Sequence, residues 1–237
     1  MTVRAAYAWG GGAAFVGAIL YFLYTFGVTM GEAVPAGTAW ATARAVIVDA
    51  GLFGLFALHH SLFARRRAKR AVGRVVSAPL ERSTFVWVAS LLLVLVCAAW
   101  QPVGGTLYRH GGVIAWLHHL VVAAGIVLTA ISVQRLSAFD LAGIDQARGR
   151  RQGRHELEKL VVRWPYTLVR HPIYLAWALF VFGPANMTAS RFVFACVSTA
   201  YLVIAIPIEE RDLVRQFGDA YRRYRQQVRW RMVPGVY

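Results

Sequence analysis

Apolar residues gather in long unbroken runs, not in the alternating or every-third-and-fourth positions of a soluble domain. Positions 5–31 hold 27 residues without a charge. That exceeds the roughly 20 apolar residues a helix needs to cross a bilayer. The run is longer than the apolar core of a cleaved signal peptide and lacks a clear basic start, so it reads as a span. A second run covers 39–63, with Arg44 and Asp49 as its only formal charges. The third, 83–101, is continuous and rich in Leu and Val. The fourth, 111–134, carries no formal charge but includes His118 and His119. The last apolar region, 171–208, contains one cation, Arg191, and is interrupted at Gly183-Pro184-Ala185-Asn186. It reads as a helical hairpin with a short arm, a turn and a longer arm ending at Pro207. The pattern predicts an all-α polytopic membrane protein: four transmembrane helices, a C-terminal helical hairpin and a cytoplasmic amphipathic tail helix.

Composition supports the same class. Hydrophobic residues are 58% and charged residues 16%, against roughly 45–50% and 25% in soluble domains, and disorder is excluded by the same numbers. Lys+Arg is 26 and Asp+Glu is 11, a net charge of +15. On a soluble chain that excess would suggest nucleic acid. Here the cations fall in segments 65–82, 135–170 and 211–231, which four spans and a hairpin place on one side of the membrane. Only Arg44, Arg109 and Arg191 fall toward the other face. This is the positive-inside pattern. It removes nucleic acid as a partner, makes membrane lipid one, and predicts a bacterial inner-membrane location with both termini cytoplasmic. In the tail, Leu213, Phe217, Tyr221, Tyr224 and Val228 recur at helical spacing, so a single amphipathic helix is expected at the membrane surface. The two cysteines, Cys97 and Cys196, sit in apolar runs and exclude a disulfide scaffold. No internal repeat breaks the chain, and one membrane domain over 1–237 is expected.

The chemistry-bearing residues cluster on the cytoplasmic side. Tyr166, Arg170-His171-Pro172 and Tyr174 stand at the start of the hairpin, and Glu209-Glu210 stand at its end. A hairpin brings its ends together, so these groups are expected to be neighbours. Pro172 suits the first turn of a helix. His171 would then sit at a helix N-terminus, where free N–H groups favour an anionic group. The paired carboxylates suit an ammonium or sulfonium. Together they fit an amino-acid-like zwitterion. A second reading makes Arg170 and His171 interfacial anchors, and the acidic pair a solvated helix start favoured by the dipole.

The Arg170-His171-Pro172-Ile173-Tyr174 motif, the acidic pair about 35 residues later, and Phe217-Gly218, Tyr221, Tyr224, Val228 and Pro234 resemble the isoprenylcysteine carboxyl methyltransferase family. Phospholipid methyltransferases share the His-Pro-x-Tyr and acidic-pair elements. The resemblance covers 158–235 best and implies an S-adenosylmethionine-dependent methyltransferase, with 134–237 as its cofactor-binding part. Carried over residue by residue, it implies that Leu160, Val161 and Tyr166 line the cofactor. Arg170, His171, Pro172, Tyr174, Glu209 and Glu210 would hold it, with Tyr221 and Tyr224 covering it. His59-His60-Ser61 through Arg65, Glu81 to Phe85, Trp100-Gln101-Pro102, and Phe139-Asp140 through Gly143 with Gln146 resemble the bacterial methanethiol S-methyltransferase branch. The sequence departs from the family pattern at Trp164 and Ala176, where Gly is usual. It also has Ile204-Ala205-Ile206-Pro207 where prenylcysteine enzymes carry an Arg, which disfavours a prenylcysteine carboxylate as acceptor. The acceptor implied is a small thiol or another lipophilic molecule. The reaction needs no metal. A thiol must lose a proton, and His60, Glu81 and Tyr174 are the candidate bases.

Two further groups stand apart. Asp49 lies near mid-bilayer, where an acid is either functional or tied into a buried hydrogen bond or a pair with Arg44. His118 and His119 could ligate haem, as in a related membrane family resembled by the front half, where His59 and His60 would be further candidates. They could equally be core or interfacial residues.

Overall fold

The computed structural model describes residues 3–63, 77, 80–135 and 160–237. The cationic segment that begins with Arg65, and the polar segment with Phe139, Asp140, Gly143 and Gln146, lie outside the described residues. The described chain is mostly helical: α1 Val3–Gly27, α2 Ala39–Phe63, α3 Glu81–Ala99, α4 Gly112–Arg135, α5 Pro172–Phe182, α6 Ala189–Phe217 and α7 Asp219–Gln227. Two short strands, β1 Thr106–Arg109 and β2 Asn186–Thr188, form a two-stranded sheet. Five of the helices (α1, α2, α3, α4 and α6) are long and apolar enough to cross a membrane. They expose large apolar side chains, among them Leu20, Ile47, Leu91, Ile114 and Ile204, as lipid-facing surfaces require. The chain is an integral membrane protein.

The described residues divide into two compact units, one from 3–63, 77, 80–107 and 188–193, the other from 108–135, 160–187 and 194–237. In the first, α3 packs against α1 and α2. The indole of Trp87 lies against Gly10 and Gly11 and donates to the Tyr7 carbonyl at 3.1 Å. Asp49 is fully buried, and its Oδ1 accepts the Gln101 backbone N–H at 2.7 Å, just beyond the end of α3. The acid therefore has a structural partner of the kind expected. Arg191, the lone cation of the last apolar region, is buried. It donates to the Phe26 carbonyl at 3.0 Å and the Gly27 carbonyl at 2.6 Å. Those are carbonyls that the end of α1 leaves without helical partners, at the negative end of its dipole.

In the second unit α4 packs against α5. The approach is close at Gly125, where a Cβ would stand 2.8 Å from the Ala176 carbonyl oxygen and 3.0 Å from the Phe180 nitrogen. Ala176 is fully buried in this contact, so a small residue there serves the crossing. Replacing Gly125 by leucine should force the helices apart. Overpacking of this kind costs about 1–3 kcal/mol, to be read as a lower unfolding midpoint in detergent. α5 has 11 residues and rises only about 16 Å, half a bilayer, so it is the short arm of the hairpin. The turn near Gly183–Asn186 is as expected, with β2 following it.

Two expectations are corrected. The long arm does not end at Pro207, because α6 continues through it to Phe217. Proline fits helical φ and removes only one backbone donor. Ala205 and Ile206 are buried before it, and side-chain bonds to Glu209 and Glu210 hold the turn after it. The tail is also not one helix. Gly218, with φ +55°, separates α6 from α7, a conformation that costs glycine little. The apolar stripe nevertheless converges: Tyr221, Tyr224 and Val228 form one buried cluster against Leu160, Leu213, Val214 and Phe217.

Candidate active site

The two ends of the hairpin meet in the second unit. His171 is the N-cap of α5 and Pro172 occupies its first turn. Arg170 and His171 are both buried. Their backbone N–H groups donate to the carbonyls of Trp230 (2.9 Å) and Arg231 (2.8 Å). The Arg170 guanidinium adds two bonds from Nη1, to the Val228 and Arg229 carbonyls, each 2.7 Å. Four hydrogen bonds thus strap the segment after α7 across the start of α5.

The acidic pair completes the cluster. Glu210 is 3% exposed, and its Oε1 accepts Arg170 Nε at 2.6 Å. His171 Nε2 lies 3.5 Å from the same oxygen, while Arg225 Nε and Arg231 Nε stand 3.7 and 3.6 Å from Oε2. Glu209 is the more open carboxylate, 44% exposed, with Oε2 3.7 Å from His171 Nδ1. Its Oε1 accepts the Tyr174 hydroxyl, and the Tyr174 ring stacks on His171 at 5.3 Å. Adjacent residues on a helix face different ways, so Glu209 turns to Tyr174 and Glu210 to Arg170.

Tyrosines close the cluster. Tyr224 donates to the Tyr166 carbonyl at 2.6 Å, which pins α7 to the loop before α5. Burial pushes the Tyr166 phenol up to about 12, and raises Tyr221 and Tyr224 well above their ordinary value. All three are neutral at physiological pH. Two buried polar atoms, Tyr221 Oη and His171 Nε2, have no hydrogen-bond partner among the described residues. The nearby Glu210 charge is among the influences raising Tyr221. Buried polar atoms are nearly always satisfied, so these two are suited to a bound polar molecule.

The structure therefore brings together Leu160, Tyr166, Arg170, His171, Pro172, Tyr174, Glu209, Glu210, Tyr221 and Tyr224. Val161 is half-buried beside Leu160. Of the candidate bases only Tyr174 is in this cluster. His60 and Glu81 belong to the first unit, where the His60 ring lies 5.6 Å from that of Phe85 and Glu81 opens α3. His118 is occupied on both ring nitrogens, by His110 Nδ1 at 2.9 Å and the Gly183 carbonyl at 2.8 Å. His119 is exposed, with its ring edge-on to Trp116 at 6.1 Å. Two members were missed in the sequence. Arg225 follows Tyr221 by one helical turn, a spacing that could have placed it near the site. Arg231 lies outside any helix, and no periodicity marked it.

A methanethiol S-methyltransferase of Bradyrhizobium diazoefficiens is 38% identical over 222 residues, 91% of this chain and 78% of the relative. Another, from Mycobacterium tuberculosis, is 33% identical over 225 residues, 88% of this chain and 90% of the relative. The chain belongs to the methanethiol S-methyltransferase family. A protein named Nurim, from Xenopus laevis, is more distantly similar, at 28% identity over 181 residues, 70% of this chain and 61% of that one. No family model and no solved structure matches the chain. Membership makes the chain a methyltransferase, bearing out the resemblance read from its motifs. A methyltransferase needs a methyl donor, and this cluster brings buried Arg170, His171 and Glu210 together with the unsatisfied Tyr221 hydroxyl. Its two departures are both accommodated: Trp164 is 53% exposed at the surface, and Ala176 serves the helix crossing.

Proposed function

We propose that this protein transfers a methyl group from S-adenosylmethionine to methanethiol or a similar small thiol, at the cytoplasmic face of a bacterial inner membrane. The observation that carries the reading is the cluster of buried Arg170, His171, Glu210 and Tyr221 with the more open Glu209, and its unsatisfied polar atoms, in a chain of this family. The distribution of arginines supports cytoplasmic termini, and residues 134–237 form the donor-binding part.

These residues fit the donor. The Arg170 guanidinium suits its carboxylate, and the Glu209 and Glu210 carboxylates suit its ammonium and sulfonium. Leu160, Val161, Tyr166, Tyr221 and Tyr224 supply half-buried and buried walls. When bound, the donor supplies an electrophilic methyl group on a positively charged sulfur. The protein's own part is to position, exclude water and move a proton. Four bonds to the segment 228–231 hold the cover shut, and a dry site favours a reaction in which opposite charges are neutralised. The Tyr174 hydroxyl already donates to Glu209. Tyr174 Oη takes the thiol proton as its own passes to Glu209. With the donor bound, the thiol sulfur would take the methyl group as the donor's sulfur–methyl bond broke, which would leave two neutral thioethers.

The test is product formation. Membranes containing the full chain, given methanethiol and S-adenosylmethionine, should release dimethyl sulfide into the headspace, and the Glu209→Gln variant should release at least about 10-fold less. Equal release from wild type and protein-free membranes would refute the reading.

A further inference from the structure

A second feature adjoins the donor cluster and shares Arg170 with it. Between α7 and the segment after it opens a cleft of about 630 Å³. Its walls carry five guanidinium groups, from Arg170, Arg222, Arg225, Arg229 and Arg231, and no carboxylate side chain. Charge compensation around them is incomplete. Among the described residues, Arg170, Arg225 and Arg231 share the Glu210 carboxylate, at 2.6, 3.7 and 3.6 Å. Arg222 pairs with exposed Asp219 at 2.6 Å. The Tyr237 backbone oxygen turns instead to the N–H groups of Met232 and Val233. The Tyr237 hydroxyl accepts Arg231 Nη1 at 3.0 Å, and its ring lies under that guanidinium. Three permanent cations thus share one buried carboxylate. Converging arginines are the residue type best matched to a tetrahedral oxyanion.

We infer that this cleft binds a phosphate-type anion, as a free phosphate or as the headgroup of an anionic phospholipid. Its position on the segment that covers the donor cluster means that the anion ties α7 to residues 229–231 and stabilises the closed cover. Opposed guanidinium groups repel one another until a shared anion bridges them.

The test uses the full chain in two arms. In neutral detergent, inorganic phosphate is titrated at constant ionic strength against chloride. In nanodiscs, phosphatidylcholine alone is compared with phosphatidylcholine containing phosphatidylglycerol. The readout is the unfolding midpoint, which rises with any ligand selective for the folded state. The double variant Arg222→Gln, Arg229→Gln removes two cleft cations that do not touch Glu210. Arg211→Gln, Arg215→Gln is the charge-matched control outside the cleft. A midpoint rise of at least about 3 °C with phosphate or with phosphatidylglycerol, lost in the cleft variant and kept in the control, supports the inference and names the source. No rise in either arm overturns it, as does equal loss in both double variants. Loss of donor affinity in the cleft variant, equal with and without phosphatidylglycerol, also overturns it, because the cleft would then be part of the donor site.

Discussion

Replacing Glu210 by alanine should be the most damaging single change in the second unit of the protein. The carboxylate is 3% exposed and its nearest partner, Arg170, has a side chain 6% exposed. Removing one partner of a buried ion pair leaves the other uncompensated and costs about 3–5 kcal/mol. Here the loss is compounded, because Arg225 and Arg231 also approach the same carboxylate. The unfolding midpoint in detergent should fall sharply. Arg170→Leu should fall by a similar amount, and the double variant by clearly less than the sum, as expected for partners in contact. Additive losses would mean that the pair contributes nothing as a pair. Arg170→Leu should also loosen residues 228–231, whose carbonyls it holds, and faster backbone hydrogen exchange there would report it.

The second large effect falls on turnover. Tyr174→Phe keeps the ring that stacks on His171 and removes only the hydroxyl that donates to Glu209. If that hydroxyl relays the thiol proton, kcat should drop about 100-fold, within the usual range for a general acid or base. The KM for the methyl donor should move little. Loss confined to the reacting step lowers kcat and kcat/KM together, whereas a residue that only binds donor raises KM. A tenfold rise in donor KM at unchanged kcat would therefore make Tyr174 a donor-binding group and return the search for a base to His60 and Glu81.

Much of this architecture was legible because the bilayer imposes a strong constraint on sequence. Long uncharged runs and one-sided arginines gave the spans, and the interruption at Gly183–Asn186 gave the hairpin. The hairpin in turn placed Arg170 and His171 beside Glu209 and Glu210. What was not legible depended on tertiary contacts. Pro207 looked like a helix end, but buried neighbours and the Arg170–Glu210 bond carry α6 ten residues beyond it. The tail stripe looked like one helix because its spacing barely registers the break at Gly218. Arg231 counted in the sequence only as one of the cations of segment 211–231. It turns inward because Trp230 and Arg231 offer their carbonyls to the backbone of Arg170 and His171. Arg191 was read only as a charge toward the far side, yet it closes the end of α1.

The most direct measurement is S-adenosylmethionine binding by calorimetry, in detergent, for wild type, His171→Ala and Glu209→Ala. His171 and Glu209 come from opposite ends of the hairpin and stand 3.7 Å apart. If they share one donor site, wild type binds at micromolar strength and each variant loses about 10-fold or more, ~1.4 kcal/mol. A wild type that does not bind, or variants that bind as well as wild type, would contradict the placement of the donor in this cluster.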